Sequence, residues 1–283
     1  MRILVTGAAG LIGRGVATRL KNDHDVVGLD LVPGPHVQII ADCHDVADWR
    51  HEVGSLDAIV HVAALHVPHV GVRSDADFRR TNVEATARLI DLAADVEARH
   101  FVLTSTTSLF GQALLPSDRA VWVDETLEPQ PRDIYDETKL EAETLVATAG
   151  GSMTMTSLRM SRCFPEPADV MAWYRLYRGV DRRDVAEAHA LALTRNGPRY
   201  TYIIGAKSPF LPEDCAELLS DAPTVIRKRC PGLIEAAWAK GWHPPRSIER
   251  VYDCSSAVRD LGYSPRYGIE HCLAADWDPS PAK

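Results

Sequence analysis

The chain has 283 residues, 46% hydrophobic and 25% charged, with a formal net charge of −8 at pH 7, a composition that supports a full core and excludes a disordered segment. The acidic balance argues against a nucleic-acid or anionic-membrane surface, each of which needs a basic patch. No apolar run approaches the ~18 residues of a bilayer span and the first residues carry no signal-peptide pattern, so a cytoplasmic protein is expected, while six cysteines without CxxC spacing suit reduced thiols.

Residues 2–5 form an apolar run followed directly by Thr6-Gly7-Ala8-Ala9-Gly10-Leu11-Ile12-Gly13. The run reads as a short buried strand. The glycines permit a tight turn, close approach of backbone to a pyrophosphate, and a helix packed hard on the strand. A dinucleotide phosphate would sit where that helix opens, near Leu11, because free N–H groups and the helix dipole favour an anion there. Such a loop is also an ordinary strand-to-helix turn. What selects the nucleotide reading is Asp30, at the end of a second apolar strand and twenty residues after Gly10, where a carboxylate accepts from both ribose hydroxyls. No Arg or Lys follows in Leu31-Val32-Pro33, so a 2′-phosphate would meet a carboxylate with no counter-charge. The expected cofactor is NAD rather than NADP.

Further along, strands are expected at residues 37–40, 58–62, 101–104 and 156–158, besides 3–5 and 26–29, alternating with helical patterns over 75–98 and 135–149. That alternation predicts βαβ units: an α/β, Rossmann-type, doubly wound parallel sheet. Beyond residue 160 prolines punctuate short segments. The expected division is a cofactor-binding domain over 1–160, then a mixed segment, 161–283, that supplies a small C-terminal substrate-binding lobe and returns in part to the first domain.

Within the helix expected at 135–149, Tyr135 and Lys139 stand at i and i+4, one turn apart on one face. A neighbouring cation stabilises phenolate and so draws a tyrosine pKa down from ~10, as a general base requires. The strand before this helix ends in Thr104-Ser105-Thr106-Thr107-Ser108. One of these hydroxyls would donate to the substrate oxygen that gains or loses the hydride, although a Ser/Thr-rich turn alone would look the same.

Together these segments resemble the extended short-chain dehydrogenase/reductase family, also called the NAD-dependent epimerase/dehydratase family. The resemblance extends through Asp57-Ala-Ile-Val-His61-Val-Ala-Ala64, Thr81-Asn82-Val83, Leu158-Arg159, Asp184-Val-Ala-Glu-Ala-His189 and Leu261-Gly262-Tyr263. It implies that Leu11 and Ile12 contact pyrophosphate, Asp42 and Cys43 the adenine, and Val62, Ala63 and Ala64 the middle of the cofactor, with Asn82, Thr104, Ser161 and Cys163 also along it. It gives Thr106 the catalytic Ser/Thr place, Tyr135 the base, and Lys139 the ribose contact and the pKa-lowering charge. A homodimer packed through the two long helices is implied as well.

Departures from the family pattern narrow the reaction. The 4,6-dehydratases carry an acidic pair after the catalytic hydroxyl, where this chain has Thr107 and Ser108, and the stretch from Arg159 to Asp184 is short for a nucleotide-diphosphate clamp. The run Cys163-Phe-Pro165-Glu-Pro167 is similar instead to uronate dehydrogenases, without their Asn-His pair after the catalytic serine. The expected substrate is therefore a small free sugar, sugar acid or polyol, with an NDP-sugar 4-epimerase or a non-catalytic NAD-binding protein as alternatives. Among the arginines after the sixth strand, Arg162 and Arg175 are the candidates for a substrate carboxylate. His66 is expected at the substrate mouth, with Thr106 and Thr107 beside it. Cys163 reads as a packing thiol, and the His66-Val-Pro-His69 spacing lacks a third ligand, so no metal is expected.

Overall fold

A computed structural model of the chain describes residues 1–197, 199–274 and 277. In chain order its elements are β1 (Arg2–Thr6), α1 (Leu11–Leu20), β2 (Asp25–Asp30), β3 (Ile39–Ile40), α2 (Val46–Val53), β4 (Ala58–His61), α3 (Asp75–Phe78), a π-helical turn (Arg79–Glu84), α4 (Ala85–Asp95) and β5 (His100–Thr106). There follow β6 (Val121–Val123), α5 (Ile134–Thr148), β7 (Thr154–Met160), α6 (Ala168–Tyr174), α7 (Arg182–Ala192), β8 (Arg199–Ile204), α8 (Cys215–Arg229), α9 (Leu233–Trp238), β9 (Arg250–Tyr252), α10 (Ser255–Leu261) and α11 (Ile269–Leu273). Seven strands form one sheet in the order β3-β2-β1-β4-β5-β7-β8, parallel throughout.

The strands read as continuous apolar runs because both faces of the sheet are covered. Alternation along each strand then divides the core in two. Ile3 and Val5 of β1 join one buried cluster and Leu4 the other, and β5 repeats the split with Val102 against Phe101 and Leu103. Side chains of α1, α7 and α10 cover the first face and those of α2, α4 and α5 the second. The expected helix over 75–98 is broken by the π-helical turn, and β3 is two residues long rather than four. The apolar side chains of α4 turn inward, and none of the large exposed apolar residues, such as Leu31, Val72 and Leu115, lies on α4 or α5.

The segment after Met160 serves both parts of the molecule. β7, α7 and β8 make a further βαβ unit of the sheet, with α7 packed on α1 and tied to it by the Arg19–Glu187 ion pair. The lobe has its own core, which includes Trp173, Phe210, Leu218, Ile226, Ile234 and Ile248. A second sheet, of β6 and β9 only, joins the lobe to the loop between β5 and α5.

The turn after β1 is tightly packed. Gly7 has φ +69, and a Cβ there would stand 2.7 Å from the Ala63 nitrogen; a Cβ on Gly13 would stand 2.0 Å from the Gly7 carbonyl oxygen. In both cases the obstacle is backbone, which cannot swing aside. Gly13→Ala is therefore expected to lower the unfolding free energy by about 1–3 kcal/mol, the usual cost of overpacking, in urea titration; an unchanged midpoint would mean the turn has slack.

Candidate active site

A cleft of about 650 Å³ runs across the carboxyl ends of the sheet strands, where parallel α/β sheets bind their ligands. At one end it is made of backbone. Gly10 precedes α1 and offers no side-chain cap, so the first N–H groups of the helix remain for an anion, and Gly7, Gly10, Leu11, Ile12 and Gly13 all line the cleft. Asp30 closes β2 beside this turn, its carboxylate accepting from the backbone N–H of Ala9 at 2.9 Å and of Val32 at 3.2 Å. Asp42 and Cys43 continue the wall. Arg80 stands by them, a residue the sequence reading passed over, but its guanidinium is engaged by Asp42 (3.2 Å) and Asp45 (3.0 Å). A glycine turn that no Cβ could occupy, uncapped helical N–H groups and a fixed carboxylate together fit the pyrophosphate and ribose of a dinucleotide.

The middle of the cleft is lined by Val62, Ala63 and Ala64. Asn82 does not reach it. Buried in the π-helical turn, its amide accepts from Leu65 N (2.8 Å) and donates to Leu65 O and to Thr138 Oγ1 (both 3.0 Å). It fastens the wall after β4 to α5 rather than facing the cleft.

Thr104, Thr106, Thr107, Tyr135, Lys139, Ser161 and Cys163 converge at the far end. The Thr106 hydroxyl accepts from Ser108 N at 3.0 Å and acts on the Tyr135 phenol, favouring its ionised form. Lys139 is 2% exposed and donates to the Thr104 carbonyl at 2.8 Å. The Thr104 hydroxyl pairs with His189 Nε2 (2.8 Å), while His189 Nδ1 lies 2.8 Å from Val185 O. Burial pushes His189 down to about 4, so the ring is neutral, Nδ1 carries the proton to Val185 O and Thr104 donates to Nε2.

The lowering of Tyr135 by Lys139 expected from their spacing is not found. Burial pushes the phenol up to about 12, against the influence of the nearby Thr106 hydroxyl, and the same burial pushes Lys139 down to about 8 despite the Glu143 carboxylate. The ammonium thus loses its proton before the phenol titrates. Burial likewise lifts the Cys43 and Cys163 thiols to about 12, which keeps them protonated and unreactive.

At the mouth, His66 lines the cleft with its ring stacked on Phe164 at 5.5 Å. Thr107 lines it too, its hydroxyl 3.4 Å from Met160 O. Arg162 is present but ion-paired with Glu166. Arg175 is absent from the cleft. It is buried, donating to Tyr267 O at 2.5 Å and to Asp181 at 3.1 Å, and so holds α11 to the start of α7. Three other arginines line the cleft: Arg132, Arg178 and Arg250. Arg178 lay in the arginine-rich stretch; Arg132 and Arg250 carried no local signal. Among the described residues no cluster of His, Cys, Asp and Glu could hold a metal ion, and no helix is long and apolar enough to cross a membrane.

Fold and cleft define a Rossmann-type scaffold of the extended short-chain dehydrogenase/reductase class. The chain belongs to the NAD dependent epimerase/dehydratase family, whose model matches residues 3–167, and NAD is its cofactor. It is similar to the 3-beta-hydroxysteroid dehydrogenase of Mycolicibacterium neoaurum, 31% identical over 167 residues that cover 54% of this chain and 44% of that protein. The chain thus matches less than half the length of that relative. In fold it is similar to a short-chain dehydrogenase/reductase superfamily protein from Agrobacterium tumefaciens with bound NAD (TM-score 0.71, 20% identity, 96% and 95% of the two chains). It is also similar in fold to MoeE5 in complex with UDP-glucuronic acid and NAD (TM-score 0.69, 22% identity, 96% of each).

Two expectations follow from these geometries. Asp30 opposes a 2′-phosphate, so NAD should bind at least ~10-fold more tightly than NADP and Asp30→Ser should narrow the gap; equal affinities in the unaltered protein, by fluorescence titration, would remove the role given to Asp30. The second concerns Lys139. The unfolded chain keeps its proton up to an ordinary 10.5 and the folded chain only to about 8. Between those values the unfolded chain binds more protons, so the penalty for burying this cation is full below about 8 and fades as pH rises to 10.5. Lys139→Met should stabilise the protein at neutral pH by about 2 kcal/mol, roughly 3 from the charge no longer buried less about 1 for the bond to Thr104. The gain should shrink toward alkaline pH in urea unfolding; a variant no more stable than the parent at neutral pH would show that Lys139 carries no such penalty.

Proposed function

We propose that the protein is an NAD-dependent dehydrogenase of a small hydroxylated carbohydrate, a free sugar, sugar acid or polyol. In this reading Tyr135 takes the hydroxyl proton and Thr106 polarises the reacting oxygen. The observation that carries it is that Thr106 and Tyr135 face the cleft that also holds the glycine turn, with Lys139 one helical turn beyond. A substrate oxygen that enters beside the two hydroxyls is met by both, Thr106 donating to it and Tyr135 accepting from it. Bound NAD supplies the hydride acceptor.

The phenolate–ammonium form of Tyr135 and Lys139 carries the same number of protons as a phenol and an amine. Burial opposes both charges of that form, and the attraction between them offsets part of that cost. Thr104, itself held by His189, keeps Lys139 pointed at the site. Neither residue after Thr106 is an acid: Thr107 is tied to Met160 O and Ser108 accepts from Arg132, which speaks against dehydration. One cleft of about 650 Å³ has to receive cofactor and substrate together, within a range of about 300–1,000 Å³ that single ligands commonly fill. A small substrate suits that space better than a nucleotide sugar.

The test is a panel of free aldoses, uronates and polyols assayed for net NADH formation, with UDP-glucose and UDP-galactose alongside. Net NADH from a free compound is expected; epimerisation of a UDP-sugar without net NADH would replace the reading with an epimerase. Tyr135→Phe should keep NAD affinity and lose on the order of 10²-fold in kcat. Normal turnover in that variant would refute Tyr135 as base.

A further inference from the structure

Two arginines of the cleft have no part in the chemistry described so far. Arg178 follows α6 in a turn with fixed backbone: its N–H donates to Tyr174 O at 2.8 Å and its carbonyl accepts from Arg162 N at 3.1 Å. Gly179 packs so closely that a Cβ would meet the Tyr174 carbonyl carbon at 3.0 Å. Arg250 opens β9 two positions before Tyr252, so the two side chains leave the strand on one side, and both line the cleft. Tyr252 N donates to Tyr177 O at 2.9 Å, which brings β9 against the Arg178 turn, and both guanidinium charges act on the Tyr177 phenol between them.

The Nε–H groups of Arg178 and Arg250 are each buried with no acceptor. Arg178 lies over the Tyr174 ring at 4.6 Å and pairs with no carboxylate among the described residues, while Arg250 spends another nitrogen on Glu249 at 3.1 Å, a residue whose side chain is 55% exposed. The remaining cleft arginines are already neutralised, Arg132 by Asp136 and Arg162 by Glu166. An anion in the cleft would therefore meet the outer edges of the Arg178 and Arg250 guanidinium groups, where a charge-assisted bond is strong. Two guanidinium groups on rigid backbone, one with no carboxylate against it among the described residues and the other held only by an exposed chain neighbour, suit one oxyanion group.

We propose that Arg178 and Arg250 form a clamp for a terminal oxyanion, a carboxylate or a phosphate monoester, carried by the substrate. The substrate is then a hydroxylated acid or sugar phosphate rather than a neutral sugar. This rests on the oxidoreductase reading of the cleft, and it moves charge recognition away from Arg162 and Arg175, both of which are occupied. The clamp holds the charged end of the substrate while Thr106 and Tyr135 receive the hydroxyl to be oxidised.

The experiment is calorimetric titration of the NAD-loaded protein with glucose, glucuronate, glucose 6-phosphate, inorganic phosphate and UDP. At least one small anion should bind saturably and on the order of tenfold or more tighter than glucose, and R178Q and R250Q should each reduce that advantage at least tenfold. The better of glucuronate and glucose 6-phosphate identifies the group the clamp accepts. Glucose binding as tightly as every anion, no small anion binding, UDP binding alone, or retention of the advantage in both variants would each overturn the proposal. The unaltered protein decides the first three, so a variant that failed to fold would not shield it. Anion binding without NADH formation would leave the clamp standing and remove the dehydrogenase reading; NADH from neutral and charged sugars alike would do the reverse.

Discussion

The Glu143 carboxylate joins the sheet to the helix that carries the reactive residues. From α5 it accepts the Ser105 hydroxyl of β5 at 2.5 Å and the Arg159 guanidinium of β7 at 2.7 and 3.1 Å, with both side chains of the ion pair less than a tenth exposed. Phe110 covers the arginine at 5.0 Å. Desolvating both charges cancels much of their attraction, so such a pair adds little net stability, whereas removing one partner leaves a buried charge at a cost of about 3–5 kcal/mol. Its contribution is geometric. Tyr135, Lys139 and Glu143 follow at intervals of four on one helical face, so fixing Glu143 between two strands fixes the rotation of α5 and the depth of the other two. Its charge also reaches Lys139, where it favours the ammonium.

The two ends of the cleft are built differently. The cofactor end is mostly backbone: a glycine turn, uncapped helical N–H groups, and a carboxylate held by two amides. Such a surface recognises features that every dinucleotide shares. The substrate end is side chains on segments from four places in the chain, the Thr106 strand end, α5, the turn at Arg178 and β9. The family model ends at residue 167, while the lobe lies mostly beyond it.

This division also decides what was legible in the sequence. The turn after β1, Asp30 and the Tyr135–Lys139 spacing are local, and their chemistry depends on few distant contacts. The strand runs were readable because burial on both faces leaves an unbroken apolar signature. β8 was hidden because it begins Arg-Tyr-Thr-Tyr after a proline and draws its apolar character from neighbours, and β6 and β9, three residues each, exist only through each other. Asn82 and Arg175 have the right residue types for a site, but they spend their polar groups on Leu65, Thr138, Asp181 and Tyr267. The sign of the Tyr135 shift could not be read either, since spacing reports the neighbour and burial sets the balance.

The small β6–β9 sheet has a consequence for the order in which the molecule can assemble. Val121 pairs with Arg250, closing the longest strand-to-strand loop in the fold around α5, β7, α7, β8 and the lobe helices. The pairings among β1, β2, β4 and β5 join segments close in sequence and cost little chain entropy, whereas this one must await nearly everything between its ends. The surface that reads the substrate thus closes through the strand pairing with the largest chain-entropy cost in the fold. Mild destabilisation would blunt discrimination between substrates while the nucleotide was still held.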